Sequence, residues 1–298
     1  MLRSPLDALS CALLPASCSL CGSLLPQLSS VPICDACWLE FSAEAGAACA
    51  RCGDAIDAAD AAFDAASSPQ CRACRLAPPP FVKAVSYGTY HGRMKEAIHA
   101  LKDDRLYPAA PRLGAILAQA ISQLADEAPA EMLVVPVLLH RSKHAERGFN
   151  QARPLAVHAL RALAKTHPQW RLVLAASTLI RLRATENQAV LMPRLRRMNV
   201  RGAFKVSDPA AVKARHVLVV DDILTTGATA RAVSKALLDA GAASVWLATL
   251  ARARRISHAG RESSAPAEDL DRQEFTGTCY AGFTEEAGRF TSHDQRSF

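Results

Sequence analysis

Val217-Leu218-Val219-Val220-Asp221-Asp222-Ile223-Leu224-Thr225-Thr226-Gly227-Ala228-Thr229 is the stretch from which the rest of this chain can be read. Its opening four residues are a continuous apolar run, the pattern of a short strand buried on both faces of a parallel sheet. Two carboxylates follow where such a strand ends, then a Thr-Thr-Gly-Ala-Thr turn, and Ala230 to Leu238 reads as an alanine- and leucine-rich helix. Open α/β sheets bind ligands just beyond the carboxyl ends of their strands. A hydroxyl-rich glycine turn that opens a helix aims backbone N–H groups and a positive dipole at one point, which suits a phosphate. Aspartates beside that cradle do not themselves bind phosphate. They are placed to accept hydrogen bonds from sugar hydroxyls or to face a divalent cation lying on the ligand. An ordinary strand with a capped helix would use Asp222 or Thr225 as its cap. It leaves the second acid, the other threonines and the glycine without a purpose.

The segment resembles the signature of type I phosphoribosyltransferases, which bind 5-phosphoribosyl-1-diphosphate. That resemblance implies that Asp221 and Asp222 take the ribose 2- and 3-hydroxyls, and that Thr225, Thr226, Gly227, Ala228 and Thr229 wrap the 5-phosphate.

Upstream of the signature, Met132 to Val137 reads as a second buried strand ending at a proline. The loop His140-Arg141-Ser142-Lys143-His144-Ala145-Glu146-Arg147-Gly148-Phe149-Asn150-Gln151 follows and leads into a helix from Ala152 to Leu163. A basic cluster beyond a parallel strand can be a solvated turn, but on the same sheet edge as the aspartates Arg141, Lys143 and Arg147 read better as an anion clamp, for which a diphosphate is the natural occupant. His140 and His144 read as surface residues. Val82 to Tyr90 is a strand or hairpin arm, and Gly92 to Lys102 has helical spacing with Met94, Ile98 and Leu101 on one face. Lys95 and Lys102 flank that face, as solvated charges or in reach of a phosphate. Ala109 to Ala125 is a further helix, Leu179 to Gln188 a basic turn, Gly202 to Phe204 a short arm, and Val245 to Leu250 a strand beyond the signature. Strands alternating with helices predict an α/β fold, a mainly parallel sheet with helices on both faces.

The chain has 298 residues, half of them hydrophobic, enough for a sizeable core and two domains. A formal charge of +7 favours anionic ligands without choosing between phosphorylated metabolites and nucleic acid. No run of eighteen apolar residues exists, so a membrane span is not expected. Near the N-terminus, Pro5 to Leu14 reads more simply as an amphipathic helix than as a signal peptide, and the protein is expected to be cytoplasmic.

Ten cysteines would suggest disulfides in a secreted chain, but eight of them fall into four Cys-x-x-Cys knuckles. Cys18-x-x-Cys21 and Cys34-x-x-Cys37 are separated by 12 residues, Cys49-x-x-Cys52 and Cys71-x-x-Cys74 by 18. Each knuckle turns two thiolates to one side, and two knuckles complete a tetrahedral zinc site. A redox dithiol is the competing use, but four repeats without a strand–helix context favour structural Zn²⁺. The spacing leaves open whether both quartets bind and whether knuckles pair in sequence or interleave. Gly22 and Gly53 follow their knuckles where a positive φ helps close the turn. Cys11 and Cys279 fit no knuckle. Asp54 to Gln70 looks like a loop or frayed helix, and Pro78-Pro79-Pro80 a stiff linker.

The whole series then closely resembles the ComF family. It comprises Val-Pro-Val, Arg-Ser-Lys, Arg-Gly-Phe-Asn-Gln, Arg181-x-Arg183-x-Thr185-x-x-Gln188, Asn199-Val200-Arg201-Gly202-Ala203-Phe204 and the phosphoribosyl signature. That family joins a double zinc ribbon to a phosphoribosyltransferase domain and is associated with DNA uptake in natural transformation. The resemblance runs from about Pro15 to Ala251. With the boundary at Pro78-Pro79-Pro80, the expected domains are a double zinc ribbon with a short N-terminal helix over 1–77, a linker over 78–80 and a transferase domain over 81–257. After Ser257 the sequence departs from the family pattern, Ser-, Glu- and Arg-rich with few apolar residues, and a disordered tail over 258–298 is expected. The resemblance also implies single-stranded DNA and the competence helicase machinery as partners. The catalytic half is most similar to glutamine phosphoribosyldiphosphate amidotransferase, which makes Arg181 to Gln188 a flexible flap with Arg181 and Arg183 closing over the site. No segment resembles a glutamine-hydrolysing domain and no cysteine follows the initiator methionine, so that enzyme itself is not expected.

The resemblance implies pentosyl transfer from the phosphoribosyl donor, with Mg²⁺ on its diphosphate and an unnamed acceptor. The rival reading is a non-catalytic adaptor that binds single-stranded DNA and keeps only the fold, with Trp38 and Phe41 as candidate stacking residues. A phosphoribosyl-sensing regulator without catalysis shares the same site.

Overall fold

Apolar runs with no polar face are stable only where both sides of a sheet are covered, and that is the arrangement found. The computed structural model describes residues 16–25, 31–43, 46–56, 68–102, 107–139, 150–183 and 202–254. All of them lie in the compact unit Met1–Ile256.

In chain order, α1 (Asp35–Leu39) and α2 (Arg72–Leu76) belong to the cysteine-rich region. Then come β1 (Ala84–Thr89), α3 (Gly92–Lys102), a 3-10 turn (Tyr107–Ala109) and α4 (Ala110–Ser122). β2 (Glu131–Pro136), α5 (Ala152–Thr166) and β3 (Arg171–Leu174) follow. A hairpin-like pair, β4 (Leu179–Arg181) and β5 (Phe204–Val206), precedes α6 (Pro209–Val212). β6 (His216–Leu224), α7 (Ala228–Asp239) and β7 (Ser244–Arg252) complete the described chain.

Five strands form one sheet in the order β1-β7-β6-β2-β3, every neighbouring pair parallel. β4 and β5 pair antiparallel outside it. From β2 the chain proceeds outward to β3, and from β6 it proceeds the other way to β7. The order therefore diverges between β2 and β6, which are hydrogen-bonded neighbours. Crevices at such divergence points, at the carboxyl ends of the strands, are where open sheets bind ligands.

The two faces of β6 feed two cores. Leu218 and Val220 join Trp246, Ala248 and Leu250 of β7 and the buried faces of α3, α4 and α5. Val217 and Val219 join Val245 and Leu247, Val233 and Leu237 of α7, and Phe204 of β5. The expected apolar face of α3 holds, with Met94, Ile98 and Leu101 buried, and Leu113, Ile116, Leu117 and Ile121 of α4 are buried as well. Each such side chain contributes about 1.5–3 kcal/mol relative to exposure.

The cysteine-rich region splits across the sheet. Its first half, with Cys18, Cys37, Trp38 and Phe41, packs into the core on the α3–α4 face. Its second half, with Cys49, Cys52, Cys71 and Cys74, packs into the core on the α7 face. Backbone and side-chain bonds tie both halves down: Ala84 N–H donates to Arg51 O at 2.9 Å and Tyr87 Oη–H to Phe41 O at 3.0 Å.

Several elements differ from the sequence reading. The signature strand runs on through both aspartates to Leu224, and the following helix starts at Ala228 rather than Ala230. Pairing with β7 carries β6 past its apolar run. The arm around Val82 to Tyr90 is a parallel edge strand, not half of a hairpin. Leu179 to Arg181 is a strand rather than a turn, and β3 was not anticipated. The segment beginning at Asp54 is not loose at its start, because Asp54 is 4% exposed. The expected helix Pro5 to Leu14, most of the Asp54–Gln70 segment and the tail from 258 lie outside the described residues. No described helix is long and apolar enough to cross a membrane.

Candidate functional site

Successive side chains of a strand point to opposite faces, so the two aspartates of β6 divide. Asp222 continues the face of Leu218 and Val220 toward α3 and α5, where it is buried. Lys102 Nζ, at the last residue of α3, meets Asp222 Oδ2 at 2.9 Å, and Gln151 Nε2, just before α5, donates to the same oxygen at 3.2 Å. Burial opposes ionisation of Asp222. The Lys102 ammonium and these hydrogen bonds outweigh it and hold the carboxyl below its usual range. Asp221 continues the face of Val217 and Val219. Its Oδ1 accepts the Asp222 N–H at 2.9 Å. Burial first, and the neighbouring Asp222 charge second, push its pKa well above the usual carboxylate range. The surroundings thus push the two acids in opposite directions, Asp222 down and Asp221 up.

Arg181 ends β4 and lies within the field of Asp221. Burial lowers its pKa while that carboxylate works against the shift. Its Nη1 donates to Leu138 O at 3.4 Å, and its guanidinium sits 5.3 Å from the centre of the Phe204 ring. The small β4–β5 sheet therefore leans on the start of the loop that follows β2. Arg183, two residues on, is exposed beside Gly202.

The turn after β6 has the geometry its sequence calls for. Gly227 is the N-cap of α7 with φ +77°, a conformation that costs other residues about 1–2 kcal/mol. As glycine, the N-cap residue offers no side chain of its own, and the Ala228 N–H reaches Thr226 Oγ1 at 3.4 Å. Thr225, Thr226 and Thr229 are half-buried at the rim. The positive end of α7 thus opens at the carboxyl end of β6, beside the aspartates, with hydroxyls around it.

Arg141, Lys143 and Arg147 lie outside the described residues. The two ends of their loop are described, and both are pinned near the aspartates. Asn150 Nδ2 donates to Val137 O at 3.1 Å, and Asn150 Oδ1 accepts the Ala152 N–H at 3.2 Å. Gln151 then reaches Asp222. Sequence reasoning quoted Asn150 and Gln151 within a motif without assigning either a role. It left Lys102 undecided between solvent and phosphate, and the residue is instead the partner of an aspartate. Tyr90 also borders the site. Its hydroxyl lies 2.6 Å from His99 Nε2, and burial raises its pKa, with Lys102 opposing.

The eight knuckle cysteines form two groups of four, paired in sequence, with all sulfurs of a group within 4.8 Å of one another. Cys18 and Cys37 approach to 3.8 Å, Cys21 and Cys34 to 3.6 Å, and Cys52 and Cys71 to 3.7 Å. Zinc–sulfur bonds of about 2.3 Å in a tetrahedron set sulfurs about 3.8 Å apart, so the residues fit that ion. The groups share one plan. A tight turn bears the first pair, closed by Gly22 (φ +73°) or Gly53 (φ +66°). The second pair straddles the first turn of α1 or α2. At Gly53 a side chain is excluded for a second reason, because a Cβ would stand 3.0 Å from Ala84 O. The Ser23 hydroxyl, 3.3 Å from Cys21 Sγ, favours the thiolate and brings that thiol to about 6.

Trp38 and Phe41, the candidate stacking residues, are both buried and pack edge-to-face at 5.0 Å. Arg112 lies 4.2 Å above the Trp38 ring. They are core residues of the first cysteine module.

Residues 111–275 match the family model described as a phosphoribosyl transferase domain, more than half of the chain. The chain belongs to that family. The match takes in β2 to β7, the aspartates and the turn, while Lys102 and both cysteine modules precede it. Among relatives of this phosphoribosyltransferase-domain protein, the DNA utilization protein YhgH of Escherichia coli K12 is 33% identical over 184 residues. That alignment covers 61% of this chain and 77% of the relative. The Salmonella typhi protein of the same name is 34% identical over 188 residues, with the same coverage. The Competence protein F of Haemophilus influenzae is 25% identical over 238 residues, 78% of this chain and 90% of the relative. The chain is thus ComF-like, and its two four-cysteine groups are consistent with zinc ribbons.

Proposed function

We propose that the crevice between β2 and β6 binds 5-phosphoribosyl-1-diphosphate, and that the protein transfers the phosphoribosyl group to an acceptor in a process of DNA use. The observation that carries this reading is the junction of β6 and α7. A helix N-terminus, opened by a left-handed glycine among threonines, lies directly beyond two adjacent aspartates at the divergence point of a parallel sheet. Thr225, Thr226, Gly227, Ala228 and Thr229 receive the 5-phosphate on backbone N–H groups and hydroxyls. Asp221 and Asp222 accept hydrogen bonds from the ribose hydroxyls, with Lys102 and Gln151 fixing the orientation of Asp222. Arg141, Lys143 and Arg147 hold the diphosphate, and Arg181 and Arg183 close over it. Mg²⁺ accompanies the donor and screens its diphosphate.

The chemistry is displacement at C1: the bond to diphosphate breaks through an oxocarbenium-like centre, and the acceptor bonds to the same carbon. What the protein supplies is neutralisation of the departing charge and placement of the two reactants. The arginines and the lysine of the clamp serve the first need and the phosphate turn the second. Each cysteine group holds one structural Zn²⁺, with no ligand position left for substrate.

A role in DNA use rests on the names of the relatives, DNA utilization protein and Competence protein F. The alternative, an adaptor that grips single-stranded DNA without catalysis, loses its stacking platform because Trp38 and Phe41 are in the core. Calorimetric titration of the zinc-loaded protein with phosphoribosyl diphosphate and Mg²⁺, with and without single-stranded DNA, tests both readings. Saturable donor binding that is lost in Asp221→Asn/Asp222→Asn is expected. Donor binding left intact in that double variant refutes the site assignment. Salt-dependent DNA binding with no donor binding hands the case to the adaptor.

A further inference from the structure

Arg252 closes β7 and is 1% exposed, the largest fully buried side chain among the described residues. A guanidinium so deep must have its charge balanced and its N–H groups used, and its two ends are used differently. Nη1 donates to Leu224 O at 2.9 Å and to Thr225 O, the last carbonyl of β6 and the first of the phosphate turn. Nη2 faces the second cysteine group, 3.2 Å from Asp54 Oδ2 and 4.0 Å from Cys52 Sγ.

A second arginine repeats the connection on the far side of the turn. Arg231, in the first turn of α7, donates to Pro78 O at 3.0 Å and to Ala77 O, the residues that follow α2 with its Cys71 and Cys74. The turn is thus fastened to the second cysteine module before and after its glycine. The surfaces meet around a small cleft whose lining includes Cys52, Cys74, Leu224, Gly227, Arg231 and Arg252.

The first cysteine group has no corresponding link to the turn among the described contacts. Its module is held by Arg93, which donates to Leu20 O at 2.8 Å, and by Arg112 over Trp38, on the opposite face of the sheet.

We propose that Arg252 is a positioning residue that couples the second cysteine group to the phosphate turn, so that zinc in that group and the phosphoribosyl donor stabilise each other's binding. This rests on the donor site proposed above. Four thiolates outweigh the charge of one divalent ion, so the loaded group is a fixed anion against which the guanidinium is oriented. That orientation holds the Leu224 and Thr225 carbonyls and, through them, the backbone N–H groups that follow. Coupling of this kind is reciprocal: what zinc does for the donor, the donor must do for zinc.

The test uses the full-length zinc-loaded chain. Cysteine-resolved alkylation under a strong chelator, read by mass spectrometry, is compared with and without saturating phosphoribosyl diphosphate and Mg²⁺. Calorimetry on the same sample establishes that the donor binds. The donor is expected to slow alkylation of Cys49, Cys52, Cys71 and Cys74 several-fold and to leave Cys18, Cys21, Cys34 and Cys37 unchanged. Arg252→Lys, which keeps the charge but loses the fork, is expected to weaken donor binding about tenfold, the usual scale for an outer-shell partner. It should also abolish the selective protection. Donor binding with equal protection of both groups, or with none, overturns the coupling and leaves the site reading intact. Absence of donor binding in the unaltered protein overturns the site and the coupling together.

Discussion

Replacing Lys102 with methionine tests the centre of the proposed site without touching a residue that would contact the ligand. Methionine keeps most of the length and apolar stem of lysine, so the packing of α3 changes little. What is lost is the ammonium at 2.9 Å from Asp222 Oδ2, in a pair whose side chains are 20% and 7% exposed. Removing one partner of a buried ion pair costs about 3–5 kcal/mol, because the other charge stays behind unpaired. Gln151 still donates to Asp222, and the position the ammonium vacates is open to water, its side chain having been 20% exposed, so the lower end applies, about 3 kcal/mol. For a protein of this size that lowers Tm by roughly 6–12 °C.

The control is Lys235→Met, which breaks an exposed i,i+4 pair with Asp239 at the same 2.9 Å, with side chains 71% and 61% exposed. That pair contributes about 0.3–0.5 kcal/mol. The pH dependence has a definite sign. Asp222 has a depressed pKa in the folded state, so the stability it contributes is complete above its unfolded-state pKa and is lost as pH falls through the folded-state value. The penalty of Lys102→Met is therefore full at pH 7 and fades in strong acid. Urea denaturation of both single variants, of Asp222→Asn and of Lys102→Met/Asp222→Asn measures the effect. The double variant should recover about 2 kcal/mol relative to the sum of the singles. Equal costs for Lys102→Met and Lys235→Met, with an additive cycle, would refute the argument that Asp222 is held as a buried anion.

If the proposed donor binds at Asp221, the raised pKa of that residue is expected to make its binding proton-linked. A ligand that requires the carboxylate releases a proton on binding, so affinity climbs as pH rises through the ligand-free pKa and then levels off. Calorimetry in buffers of different ionisation enthalpy should detect that proton in the unaltered protein and miss it in Asp221→Asn. Trp38→Ala should destabilise the protein by about 3–5 kcal/mol, the usual range for a buried tryptophan. Any affinity for single-stranded DNA, measured by fluorescence anisotropy below the melting transition, should be unchanged. Weakened DNA binding with stability preserved would return Trp38 to the role of a stacking platform.

Much of this organisation was legible because it is carried locally. The valine run, the acid pair and the glycine turn specify strand, candidate site and helix within thirteen residues, and each Cys-x-x-Cys announces its own turn. The boundaries moved where tertiary pairing prolonged an element. β6 continues through Asp221 to Leu224 because β7 lies alongside, up to Leu224 opposite Arg252. β3 escaped notice because it is an edge strand of four residues with Val173 exposed, so its pattern carries no continuous apolar run. The partners of the aspartates were hidden for a different reason. Lys102 ends an amphipathic helix whose sequence is equally compatible with a solvated charge, and only the packing of α3 over the sheet brings it to Asp222. Arg252 gave one faint signal, a lone charge ending an otherwise apolar strand. Its buried partner Cys52 lies 200 residues earlier in the chain.

The alternation of β6 adds a constraint that the motif does not express. Asp221 and Asp222 are adjacent in sequence, yet they serve opposite faces of the sheet, one toward Arg181 of β4 and the other toward Lys102 and Gln151. A ligand above either face would meet one of them only. To engage both it must lie across the end of the strand, which is also where the turn opens α7. The two cysteine modules occupy the same two faces. The first braces α3 and α4, the elements that deliver Lys102 to one side of the strand end. The second fastens the turn through Arg252 and Arg231 on the other. Loss of the first module is therefore expected to act on the ribose side of the site through Asp222, and loss of the second on the phosphate side through the turn. Donor analogues lacking the 5-phosphate separate the two: they should remain sensitive to Lys102→Met and become indifferent to Arg252→Lys.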